Sequence, residues 1–162
     1  MRQKMKKLIN PYLNKQGYNC FGCSPDNPVG LHLEFWEDGD EVVAMWKPST
    51  DYDGWVHTLH GGIISLLIDE VASWTLSRKL QAAGVTTRLE VKFRRPVSTL
   101  DPQLTIRGRV TGNVRNFYTV HVTLHDSQGN LCDEGDATYC MFAEQRSCDM
   151  GFTACLTEDE AR

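Results

Sequence analysis

Apolar and polar positions first alternate at Leu31-His32-Leu33-Glu34-Phe35-Trp36 and, after the turn signal Asp38-Gly39-Asp40, again from Glu41 to Trp46. That pattern predicts a β-hairpin. Pro48 to Leu59 is turn-rich and ends at His60-Gly61-Gly62. From there Ile63 to about Ala82 contains no Pro or Gly and spreads Ile63, Ile64, Leu66, Leu67, Ile68, Val71, Ala72, Trp74 and Leu76 over most of a helical circumference. A helix apolar on nearly every side is enclosed by the rest of its fold, and Gly84 is the expected stop. Four β-branched segments follow: Thr86 to Val97, Gln103 to Val114, Phe117 to Asp126 and Leu131 to Phe142. Turns such as Ser127-Gln128-Gly129-Asn130 separate them, and they read as an antiparallel meander. The order predicts an α+β plan in which one long central helix is wrapped by a curved antiparallel sheet of about six strands. Residues 1–19 read as an N-terminal extension, 20–142 as the folded domain, and the aperiodic 143–162 as a loosely ordered tail.

Composition narrows the partners. With 162 residues, 41% of them apolar, the chain is long enough for one core that needs no metal or disulfide framework. A net charge of -4 argues against a nucleic acid partner. No membrane span is expected, because the longest apolar window, Ile63 to Ala72, is broken by Ser65, Asp69 and Glu70. Met1 to Leu8 is basic, but Ile9-Asn10-Pro11-Tyr12 follows instead of the apolar run of a secretory signal, so the expected location is the cytoplasm. The six cysteines, at 20, 23, 132, 140, 148 and 155, are then reduced thiols. Cys20-x-x-Cys23 has the spacing of half a zinc site, which Cys148 and Cys155 would have to complete. No second pair or His partner follows at the usual interval, and neither metal nor other cofactor is expected. His32, His121 and His125 fall in strand-like segments and read as ordinary sheet residues, while His57 reads as a loop residue near the entrance to a site.

Two features carry candidate chemistry. Asp69 sits mid-helix among apolar neighbours, with Ser65, Ala72 and Ser73 on its face. Either Asp69 and Glu70 face solvent, or a buried carboxylate is compensated for a purpose. His60-Gly61-Gly62 opens the same helix, where free N–H groups are ready donors to an anion or a polarised carbonyl and glycine lets a ligand approach closely.

Together, His60-Gly61-Gly62-Ile63-Ile64-Ser65-Leu66-Leu67-Ile68-Asp69-Glu70 resembles the signature of the hotdog-fold acyl-CoA thioesterases, in the branch typified by the phenylacetyl-CoA pathway enzyme. The approach Asp53-Gly54-Trp55, the strand Thr86 to Pro96 and the upstream Cys20-Phe21-Gly22-Cys23-Ser24-Pro25-Asp26-Asn27-Pro28-Val29-Gly30-Leu31 extend the likeness over Cys20 to Phe142. The resemblance implies hydrolysis of a thioester to a carboxylic acid and free coenzyme A. Asp69 would be the catalytic carboxylate, as nucleophile or as general base. The Gly61 N–H would polarise the carbonyl, His60 would support the loop and Thr86 would help place the water. Gly62 would line the approach. Gly54 stands where some relatives carry a polarising Asn, which leaves the oxyanion to backbone donors. Trp55 is compatible with an aryl or medium acyl group, and Arg88, Arg94 and Arg95 are candidates for the coenzyme A phosphates.

Helix geometry adds a constraint. Gly61 and Asp69 are eight residues apart, about 12 Å along one helix. A carboxylate within about 3 Å of the thioester therefore belongs to a different copy of the chain from the N–H that polarises its carbonyl. The implied assembly is a homodimer, or a dimer of dimers, with two shared sites. Two other readings remain open: an acyl-CoA-binding sensor or carrier without turnover, and a hydratase or dehydratase in which Glu70 is the acid.

Overall fold

The computed structural model describes residues 3–162, so Met1 and Arg2 of the N-terminal extension lie outside the described residues. Seven strands form one antiparallel sheet: β1 (Lys6–Lys7), β2 (Phe35–Asp38), β3 (Glu41–Trp46), β6 (Gly84–Phe93), β7 (Leu104–Val114), β8 (Phe117–His125) and β9 (Leu131–Met141). Their spatial order is β1-β2-β3-β7-β8-β9-β6. Two short strands, β4 (Asp53–Trp55) and β5 (Thr58–Leu59), pair with each other ahead of the long helix α1 (Gly61–Leu80), and α2 (Glu144–Asp149) follows the sheet. Helix α1 packs against β3, β7, β8, β9 and β6, which is the hotdog arrangement.

The predicted hairpin forms, but its first strand begins at Phe35. His32 takes a left-handed backbone (φ 53°) that breaks the extended run, although Leu31 and Leu33 are buried as alternation required. Helix α1 starts two residues before Ile63 because His60 caps it, with Nδ1 accepting the Gly62 N–H at 2.8 Å. It stops at Gln81, not at Gly84. Gln81 adopts the left-handed conformation (φ 51°), and Gly84 instead opens β6.

The meander is also corrected. Strands β7, β8 and β9 follow one another, but β6 pairs with β9 at the far edge and β3 takes the place beside β7. Helix α1 carries the chain across the sheet between β3 and β6, so the strand after the helix emerges on the opposite side from the strand before it. The other side of β6 is left without a strand partner among the described residues, and Val85, Leu89 and Phe93 are exposed along it.

Close packing of helix on sheet depends on Gly108. A Cβ there would lie 2.7 Å from Thr75 Oγ1 and 2.9 Å from Val71 Cγ1. Leu67, Ile68, Val71 and Leu76 from the helix are fully buried with Val42, Leu104, Ile106, Val120, Val122 and Leu124 from the sheet. Phe35 of β2 stacks on Trp74 with ring centroids 4.1 Å apart.

The segments on either side of the domain are packed against it. Leu8 is buried, and its N–H donates to the Phe35 carbonyl. The C-terminal segment is ordered against the domain instead of loose: Phe152, Cys155 and Thr157 are buried, and Arg78 pairs with Glu37 of β2 and Glu160 of the tail, each at 2.9 Å. Isolated apolar residues and one ion cluster between segments distant in sequence have no period, so the composition of the tail concealed them. No described helix is long and apolar enough to cross a membrane.

The Arg78 cluster makes a pH-dependent clamp. Its guanidinium holds the Glu160 carboxyl down to about 2 from 4.5. Burial opposes the charge of Glu37, but the Arg78 and Lys79 hydrogen bonds outweigh it and keep that carboxyl below its usual range. Carboxyls depressed by folding stabilise above their unfolded pKa and lose that contribution as pH falls through the folded value. Amide protection factors in residues 152–160 are therefore expected to fall as pH is lowered between about 4.5 and about 2, and Arg78→Ala should lower them in the same way at neutral pH.

Candidate functional site

At the start of α1 the first N–H, that of Gly61, has no intrahelical acceptor because of its position. The Gly62 N–H is already committed to His60 Nδ1, so of the two glycines Gly61 carries the available donor. Gly54 lies against the cap, where a Cβ would come 2.9 Å from His60 Cα; its smallness lets the β4–β5 segment close on the helix entry. An open cleft of about 330 Å³ adjoins Gly61, lined among others by Thr58, Phe93, Arg94, Arg95 and Asp133. Asp133 is buried beneath it. One carboxylate oxygen accepts the Arg94 N–H at 2.8 Å and fixes the turn that presents Arg94 and Arg95, while desolvation raises its pKa.

Two turns further along the helix, Asp69 meets β6 and β9. Its Oδ1 accepts a hydrogen bond from Tyr139 Oη at 2.6 Å and another from Thr86 Oγ1 at 3.0 Å. Tyr139 Oη also lies 2.9 Å from the Asp69 carbonyl. No partner for Asp69 Oδ2 is found among the described residues. Tyr139 is buried, and burial, followed by the charge of Asp69, raises its pKa strongly, so the phenol remains a donor. Thr86 and Tyr139 are directly paired between β6 and β9. A bulge between Thr86 and Arg88 then shifts the pairing, so Thr86 shares the helix-facing side with Leu89, Val91 and Phe93. Strict alternation without the bulge would place Thr86 on the face of Arg88, Glu90 and Lys92.

Glu70 does not face solvent either. The Cys20–Cys23 loop folds over it, with Cys20 Sγ 3.5 Å from Glu70 Oε1 and the ligand atoms of Cys20, Cys23 and Glu70 all within 4.8 Å of one another. Burial, reinforced by the neighbouring Cys20, pushes Glu70 up to about 8. Cys148 is exposed and Cys155 is buried beside Arg78 and Gln81, so neither completes a four-cysteine site.

The structure therefore brings Gly61, His60, Gly62, Arg94 and Arg95 to one end of the helix and Asp69 with Thr86 to its middle. Trp55 is 75% exposed on β4, and Arg88 is paired with Glu90 away from the cleft. Sequence reasoning missed Tyr139 and Asp133. An aromatic and an acidic residue within a β-branched run carry no local signal, and only the register of β9 against β6 reveals them.

Residues 57–133 match the family model of the thioesterase superfamily. A candidate esterase of Saccharolobus solfataricus is 28% identical over 91 residues, 55% of this chain and 59% of that protein, so the match spans about three fifths of the relative's length. Among solved structures, S. sahachiroi AziG superposes with a TM-score of 0.64 at 25% identity, covering 69% of this chain and 92% of that one. A hypothetical thioesterase protein from Streptococcus pneumoniae TIGR4, solved with coenzyme A, superposes with a TM-score of 0.59 at 20% identity, covering 64% and 82%.

The hydroxyl of Tyr139 bridges the helix backbone and the Asp69 side chain in a buried setting. Tyr139→Phe should lower stability by about 1–3 kcal/mol, seen as a lower urea midpoint with an unchanged slope. Thr86→Val, at an exposed position, should cost less than about 1 kcal/mol.

Proposed function

From the match of residues 57–133 to the thioesterase superfamily model, we propose that the chain is a member that hydrolyses acyl-CoA thioesters to a carboxylic acid and free coenzyme A, in sites shared between two copies. The observation that carries this reading is the asymmetric hold on Asp69: two hydroxyls fix Oδ1, and Oδ2 has no partner among the described residues. Such a carboxylate keeps one oriented oxygen for chemistry. In the general-base route Oδ2 takes a proton from water as the new carbon–oxygen bond forms. The tetrahedral intermediate then expels the sulfur, which leaves as coenzyme A thiol once protonated. In the nucleophilic route Oδ2 itself attacks the carbonyl, the carbon–sulfur bond breaks to release coenzyme A thiolate and leave a mixed anhydride, and water hydrolyses that anhydride to the acid and free Asp69. In both, the Gly61 N–H receives the developing oxyanion.

Within one chain these groups are eight residues apart on a continuous helix, about 12 Å along its axis. The free edge of β6 supplies the remedy. Thr86, beside Asp69, lies near one end of that strand, and Phe93, beside Gly61, lies at the other. Antiparallel pairing of two β6 edges about a two-fold axis near Leu89 and Glu90 sets Thr86 of one copy opposite Phe93 of the other, and so brings Asp69 towards the second copy's Gly61. It also covers the exposed Val85, Leu89 and Phe93.

Coenzyme A as the carrier is supported by the Streptococcus pneumoniae protein solved with it and by Arg94 and Arg95 at the mouth of the Gly61 cleft. Trp55, Val56 and Leu100 are exposed apolar residues of the neighbouring segments and suit an aryl or medium acyl group. The chemistry requires no metal, and a cytoplasmic location fits a coenzyme A substrate.

A panel of aryl-, short-, medium- and long-chain acyl-CoAs, with free coenzyme A resolved by chromatography, tests the activity. At least one member should be turned over, and Asp69→Asn should lose at least about a hundredfold in kcat. Wild-type turnover by a folded Asp69→Asn protein, or binding without turnover by the wild type, would overturn the proposal; the latter would favour an acyl-CoA sensor or carrier.

Gly61→Pro tests the polarising donor. Proline is favoured at a first helical position and only removes the N–H, and His60 before it is already extended (φ -61°, ψ 132°), as a residue preceding proline prefers. The variant should fold and lose about 10²–10³ in kcat. Mixing inactive Asp69→Asn and Gly61→Pro chains should restore about a quarter of wild-type activity, because half of the randomly formed dimers then hold one intact site of two.

A further inference from the structure

We infer that Cys20, Cys23 and Glu70 form a binding site for a soft divalent cation of the zinc type, which fastens the N-terminal segment to the middle of helix α1. The proposal is independent of whether the chain hydrolyses thioesters. Two thiols and one carboxylate from segments about 50 residues apart converge so that one ligand atom from each lies within 4.8 Å of the others. A tetrahedral zinc ion, with bonds of about 2.3 Å to sulfur and about 2.0 Å to oxygen, sets its ligand atoms roughly 3.3–3.8 Å apart. Closing to that spacing needs only a small contraction of side chains already in contact.

Charge points the same way. No ion pair to Glu70 is found among the described residues, so no protein cation competes with a metal ion for its carboxyl group. A divalent ion bound there would be balanced by the carboxylate and by thiolates formed as the thiols release their protons to solvent.

The loop is also shaped to this cluster. Gly22, between the two cysteines, rests directly on the Glu70 carboxylate: a Cβ there would lie 2.3 Å from Cδ and 2.7 Å from Oε2. Any larger residue would drive the pair of thiols away from the helix. Outside the ligands stands a chain of oriented hydrogen bonds. Asn10 Oδ1 accepts the Tyr12 N–H at 2.9 Å, which turns Nδ2 towards Tyr18 Oη at 3.0 Å. Having accepted from Asn10, the Tyr18 hydroxyl directs its own proton at Cys23 Sγ, 2.9 Å away, as an outer-shell donor does to a metal-bound thiolate. Asn10 Nδ2 also contacts the Cys23 carbonyl at 3.3 Å. Three protein ligands leave a fourth position for water, which is available because Cys20 and Glu70 are only partly buried.

The full chain, stripped of metal with a chelator and fully reduced, is titrated with Co²⁺ and then with Zn²⁺. The expected result is intense near-ultraviolet thiolate-to-cobalt charge transfer with tetrahedral visible bands, saturating at about one ion per chain and displaced by Zn²⁺. Cys20→Ser and Cys23→Ser should abolish the spectrum. Glu70→Gln should weaken Co²⁺ binding at least tenfold and Tyr18→Phe by about 10–100-fold, and Cys148→Ser should leave binding unchanged. A wild-type protein with all six thiols reduced and no cobalt bands overturns the proposal. So do bands that survive in either folded cysteine variant. The wild-type spectrum reads thiolate ligation directly, so the test stands even where a buried-cysteine variant fails to fold.

Discussion

A helix with no polar face that nevertheless carries Asp69 and Glu70 side by side must find a hydrogen-bonding environment for each carboxylate in whatever packs around it. Adjacent helical residues point about 100° apart, so one element cannot serve both. Asp69 is met by the hydroxyls of Thr86 and Tyr139 from β6 and β9, and Glu70 by the Cys20–Cys23 loop. Much of the irregularity in the fold answers this demand. The bulge in β6 lets Thr86 face the helix without turning Leu89, Val91 and Phe93 away from it. Gly22 lets a loop backbone lie on a carboxylate. The N-terminal segment, which could otherwise run free, is drawn in through Asn10, Tyr18 and Cys23.

Local signals made much of this legible. The apolar circumference of 63–82 announced an enclosed helix, and β-branched runs with turn residues located β7, β8 and β9 to within a few residues. Long-range choices were not legible. That β6 pairs with β9 and not with β7 is decided by where α1 delivers the chain, and no property of residues 84–93 encodes it. The same blindness hid Tyr139, whose importance comes from its register opposite Thr86. The tail misled for a related reason: its anchors are single contacts, Phe152, Cys155 and the Arg78–Glu160 pair, and single contacts have no period.

For the candidate site the sequence named Asp69, Thr86, Gly61 and His60, and their placement adds a division of labour among the donors. His60 spends its imidazole nitrogen on Gly62, which makes Gly61 the donor left over at a helix start that would otherwise offer two. Asp133 does for the Arg94 backbone what Tyr139 does for the Asp69 carboxylate: it is a buried side chain whose hydrogen bond fixes the group. Preorganisation of this kind has an energetic cost in buried polar groups, and it is worth having where charge must be met without reorganisation.

The continuous helix also explains why one copy of the chain is an incomplete device on the proposed reading. A rigid rod that fixes both Gly61 and Asp69 keeps them about 12 Å apart, and no side-chain rearrangement shortens the rod. Among the described residues the edge of β6 lacks a strand partner for the same topological reason, because α1 sets this strand down on the outside of the sheet. An unpaired strand with exposed Val85, Leu89 and Phe93 is an aggregation hazard unless something specific covers it. Covering it with the same strand of a second copy satisfies the edge and joins the two half-sites in a single step. The need of the fold for a partner and the need of the chemistry for a second chain are then one requirement.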